Sequence, residues 1–107
     1  MQRHELIAKL LVTNNRQRHL SLLKEHSDLI DLQFARDVKA TCYDSWTSAP
    51  KKTLNAATAL ETLFQICPND EVKALASWAR GIASLIEGKI EKAIVELDIS
   101  SELFKSL

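Results

Sequence analysis

Glycine and proline are close to absent, two of each in 107 residues. So few chain-breakers argue against the turn-rich strands of a β-sandwich and against disorder. There are two cysteines, Cys42 and Cys67, far apart in the chain. They form neither a secreted disulfide framework nor the tight ligand pairs of a zinc site, so a reducing, cytoplasmic setting and no metal are expected. Aromatics make up 6% of the residues, too few for a nucleic-acid stacking platform. Neither charge sign prevails: 14 Lys and Arg face 14 Asp and Glu, with a pI near 6.8, so no overall field draws a polyanion or an anionic membrane. No apolar run approaches the ~20 residues of a membrane span. Met1 to Glu5 leads into an amphipathic segment, unlike a signal peptide.

What is present is 46% hydrophobic residue content, rich in Leu, Ala and Ile, which favours one compact all-α domain. Leu6, Ile7, Leu10 and Leu11 recur at helical spacing and predict a short helix from about Arg3 to Val12. Asn14 or Asn15 can cap a second short helix that turns Leu20, Leu22 and Leu23 inward before Ser27-Asp28. Asp31 can cap a longer helix to about Ser48, with Phe34, Val38, Cys42 and Trp46 as a ladder of four-residue steps. Pro50 suits the first turn of a fourth helix carrying Leu54, Ala57, Leu60, Leu63 and Phe64 inward. Pro68 ends it, and Asn69 or Asp70 can cap the next. The expected organisation is a leading pair at 1–27, a hairpin at 31–66 and a second hairpin at 70–107.

In the last hairpin, Gly81, Ala83, Gly88, Ile90, Ala93, Leu97, Ser100 and Phe104 form a pattern. A small residue stands in mid first helix, a glycine at the turn, an aliphatic residue after it, and a small residue opposite the first. Through these positions, residues 71–107 resemble a tetratricopeptide repeat. Ser77 and Arg80 depart from the family pattern, and Trp78 stands one step along from the usual aromatic. The order of elements over the whole chain resembles the N-terminal helical region of bacterial proteins that carry a caspase-like CHAT protease domain behind such repeats. The first resemblance implies a right-handed array of helical hairpins, about six helices in all, with protein or peptide as partner. It also places Trp78, Ile82 and Leu85 on a concave groove. Arg80 alone is too little for a carboxylate-clamp groove. The second implies a regulatory or interaction module, and no protease dyad maps onto this chain.

Other chemistry is not expected. His4, His19 and His26, interleaved with Arg3, Arg16, Arg18, Glu5, Glu25 and Asp28, read as a solvated face. Cys42 lies inside the apolar ladder and reads as a structural thiol. Glu61 and Asp98 stand alone as carboxylates, and there is no glycine-rich phosphate loop. No catalytic residue and no cofactor are expected. Trp46 and Trp78 are expected in the core, and Leu54, Ala57, Leu60, Gly81, Ala93, Ile94 and Leu97 at its centre. The last helix keeps Ile99, Leu103, Phe104 and Leu107 apolar to its end, which suggests either an array that continues in a longer protein or a homodimer stripe. The leading functional expectation is a protein-binding or scaffold module. The alternative is a small helical domain that regulates by homodimerising.

Overall fold

A computed structural model describes every residue from Met1 to Leu107. It contains six α-helices and no strand: α1 (Arg3–Leu11), α2 (Arg16–Glu25), α3 (Leu32–Ser45), α4 (Pro50–Ile66), α5 (Asp70–Ile86) and α6 (Ile90–Lys105), with a 3-10 turn at Ser27–Leu29. Helix starts follow local chemistry. Asn15 Oδ1 accepts from the Arg18 amide at 3.0 Å, and Asp31 Oδ1 from Phe34 at 2.8 Å. Asn69 Oδ1 accepts from Glu71 at 2.8 Å and Val72 at 3.3 Å. Each satisfies amides that the first helical turn leaves unpaired. Pro50 opens α4 at its first position, where its missing amide is harmless.

α5 ends at Gly88, which takes φ 77°, the left-handed region that a side chain would strain. The Gly88 amide donates to Leu85 at 3.1 Å and the Lys89 amide to Ser84 at 2.8 Å. That pair of bonds is the Schellman closure, and it reverses the chain directly into α6.

Leu6, Leu10, Leu23, Phe34, Val38, Leu60, Leu63 and Val72 form the centre of the core, each at most 1% exposed. Side chains of this size contribute roughly 1.5–3 kcal/mol each on burial. α4 is the hub: α1, α2, α3 and α5 all pack on it, while α6 packs chiefly on α5. The leading helices therefore meet through α4 more than through each other. α3 and α4 are tied by a reciprocal polar contact, Thr53 Oγ1 donating to the Cys42 carbonyl at 3.0 Å inside the core. No helix is long and apolar enough to cross a membrane.

Several expectations are corrected. α3 ends at Ser45, not near Ser48, and Trp46 is 39% exposed. Each four-residue step advances about 40° round a helix of 3.6 residues per turn, so by the third step the ladder has rotated off the buried face. Ile94 is 55% exposed, because the face it occupies has no second neighbour. Leu54 and Leu97 are half-buried, whereas Ala57, Leu60, Gly81 and Ala93 are buried as expected.

His19 is the largest departure, fully buried instead of solvated. Its Nε2 lies 2.8 Å from both the Leu10 and the Thr13 carbonyl oxygens. Facing two acceptors, Nε2 is the protonated nitrogen. Asn55 Nδ2 donates to the Leu11 carbonyl at 2.6 Å. The end of α1, which has no capping glycine, is thus closed by side chains from α2 and α4.

Candidate functional site

α5 divides the end of the molecule into two unlike faces. Leu75, Trp78, Ile82 and Leu85 follow a three-four-three spacing and share one face; Trp78, Ile82 and Leu85 are half-buried and Leu75 is buried. Lys73, Ser77 and Arg80 lie on the opposite face. α6 runs back along α5 with Leu97 against Gly81, and Ser100 Oγ donates to the Ala74 carbonyl at 3.1 Å.

The apolar face is extended by α3. Tyr43, 59% exposed, stacks on Trp78 with centroids 6.3 Å apart and planes 27° from parallel. Lys39 Nζ lies 4.7 Å from the Trp78 ring centre and 5.4 Å from that of Tyr43, within cation–π range of both. Beside this cluster, Lys39, Tyr43, Leu75 and Phe104 line a hollow of about 420 Å³ between α3, α5 and α6. Arg36 borders it and is held by Glu71 through two bonds, Nε to Oε2 at 2.6 Å and Nη2 to Oε1 at 2.9 Å. That fork holds the Glu71 carboxyl below its ordinary value, and Glu71 raises Arg36.

The expected groove residues are therefore on one surface. The expected self-association set is split by the helix: Ile99 and Leu103 lie one four-residue step apart on one flank of α6, and Leu107 follows just past its end. Phe104 lies about 100° round from Leu103, on the flank that faces α3. With it on that flank, at alternating four- and three-residue spacing, are Ile90, Ile94 and Leu97.

The opposite face is polar and ion-paired. Arg80 Nε lies 3.1 Å from Glu61 and 3.3 Å from Glu96, and Arg16 also pairs with Glu61. Ser84 Oγ donates to Glu96 Oε1 at 3.4 Å. Glu96 Oε2 is buried without a hydrogen bond, its ion pair with Arg80 falling short of hydrogen-bond alignment. Glu61, read from the sequence as solitary, instead bridges α2 and α5 from its place on α4. These links depend on tertiary placement that spacing along the chain does not encode.

Cys42 is fully buried, and burial pushes its thiol up to about 12, with nearby Lys39 partly opposing the shift. A thiol so placed is a poor nucleophile. No three His, Cys, Asp or Glu side chains converge anywhere in the fold.

Sequence reasoning missed Lys39, Tyr43 and Leu75. The only local signal was the four-residue spacing of Lys39 and Tyr43, which puts them on one face of α3. Nothing in the chain announces that Trp78 completes the cluster. No protein-family model, curated protein or solved structure matches the chain, so the functional reading rests on this geometry.

Proposed function

We propose that the chain is a protein-binding module of helical-hairpin, tetratricopeptide-like type. The observation that carries the reading is the surface formed by Tyr43, Trp78, Ile82, Leu85 and Phe104 from three helices, apolar on a side where no further element of the chain packs. Apolar surface of this kind, rimmed by charge, marks interaction sites more often than it survives idle. The packing order supports the hairpin-array part of the reading: α5 lies against both α3 and α4, and α6 then adds to α5. The last hairpin so begins on the pair before it, as stacked repeats do, whereas the α3–α4 hairpin meets the leading pair through α4. The test is a quantitative binding assay with a purified partner. Affinity should fall about tenfold for Trp78→Ala or Phe104→Ser, the loss expected at an interface hot spot, and hold for Lys73→Ser on the opposite face. Equal losses on both faces would overturn the assignment.

A second reading is homodimerisation through α6. Val95 and Ile99 are 58% and 47% exposed on a helix that packs chiefly on one neighbour, and Leu107, just past its end, is 58% exposed. Light scattering decides it: a particle of 12.0 kDa at high concentration removes the dimer.

A further inference from the structure

Lys39 is unusual among the charges of the apolar groove because it has no carboxylate partner. Arg36, the other cation at the hollow, is engaged by Glu71. Lys39 forms no ion pair within 4.0 Å and lies over Trp78 and Tyr43 instead. Asp44 also borders the hollow, about 140° round α3 from Lys39, and forms no ion pair with it. The result is an ammonium with free donors, set on aromatic faces, beside an apolar hollow.

We propose that the groove takes an amphipathic peptide helix carrying a carboxylate next to its apolar anchor. The apolar side chain enters the hollow between Leu75, Tyr43 and Phe104, and an Asp or Glu about one turn away pairs with Lys39. At about 420 Å³ the hollow falls within the ~300–1,000 Å³ range of pockets that hold a ligand. A helix laid in a groove presents anchors at three- and four-residue spacing, which places acid and anchor on one face. The pairing is favoured because the rings already strip part of the water from the Lys39 head, so less hydration is lost when the carboxylate arrives. This inference rests on the protein-binding reading and adds the partner's charge to it.

The experiment is a selection of random 16-residue peptides displayed against the full chain. Affinities of the selected peptides are then measured on wild type, Lys39→Gln, Lys39→Glu and Phe104→Ser proteins, each checked for helical content by circular dichroism. Expected are peptides enriched in Asp or Glu one turn from a large apolar residue. They should weaken on Phe104→Ser, and weaken more on Lys39→Glu than on Lys39→Gln, by about tenfold for the reversed charge. Peptides that depend on Phe104 but show no acidic enrichment and no response to Lys39→Glu would overturn the charge inference and leave the groove standing. Peptides that bind every variant alike, or a library that yields none, would overturn both.

Discussion

Gly81 on α5 and Leu97 on α6 approach so closely that a Cβ on the glycine would lie 2.6 Å from Leu97 Cγ and 2.7 Å from Cδ2. The obstacle is the branch point of the leucine, which cannot step aside as a flexible tip would. Gly81→Ala gains about 1 kcal/mol of helix propensity and loses roughly 1–3 kcal/mol to overpacking. A net destabilisation of about 1 kcal/mol is expected in urea unfolding. In a Leu97→Ala background the clash is gone, and the same change should become neutral or stabilising. Identical effects in both backgrounds would show that the contact is slack.

Replacing His19 removes the donor that closes α1. His19→Phe fills the site with a somewhat larger ring but leaves the Leu10 and Thr13 carbonyls without it, so about 1–3 kcal/mol of stability should be lost. His19→Ala adds a cavity and should lose more. Thermal and urea unfolding measure both. A His19→Phe protein as stable as wild type would mean that water replaces the imidazole at those carbonyls.

The two cysteines should be chemically distinct. With the Cys42 thiol pushed up to about 12 and its side chain buried, it carries almost no thiolate at pH 8. A thiol reagent at pH 8 should therefore titrate one group quickly in the native protein, Cys67, and two after denaturation. Two fast thiols in the native state would show that the α3–α4 interface opens readily.

Acid should act partly through Arg36 and Glu71. Glu71 ionises more easily in the fold than its ordinary 4.5, because Arg36 hydrogen-bonds its carboxylate. Its contribution is thus fully present above 4.5 and is lost as pH falls below that value through the lowered folded one. Wild type should lose melting temperature over this window more steeply than Arg36→Gln. Because the pair is partly exposed, high salt should shrink the difference. Parallel pH profiles at low salt would show that the fork contributes nothing to folding.

The helix starts and the turn at Gly88 were legible because their causes are local, whereas the end of α3, which no capping glycine marks, was not. Asn15, Asp31, Asn69, Pro50 and Gly88 act on the backbone within a few residues of themselves. Gly81 was legible as the small residue of a close helix approach, but a small residue was expected opposite it and Leu97 stands there instead. What escaped depended on neighbours. His19 looks like any surface histidine until α1 presents two carbonyls to it. Ile94 looks like core until α6 proves to have one principal neighbour. Half of the candidate groove was readable, through Trp78, Ile82 and Leu85. The other half was not, because Lys39 and Tyr43 acquire meaning only when α3 lies beside α5.

That α6 rests chiefly on α5 sets the order in which the native protein opens. Its detachment would leave the main apolar core intact, because no side chain of that core belongs to α6 and only Ala93, Glu96 and Ser100 of α6 are buried, so its amides should exchange hydrogen earlier than those of α4 at the hub. Leaving would also remove Phe104 from the groove wall, so slowed exchange in α6 on adding a partner would report occupancy of the groove.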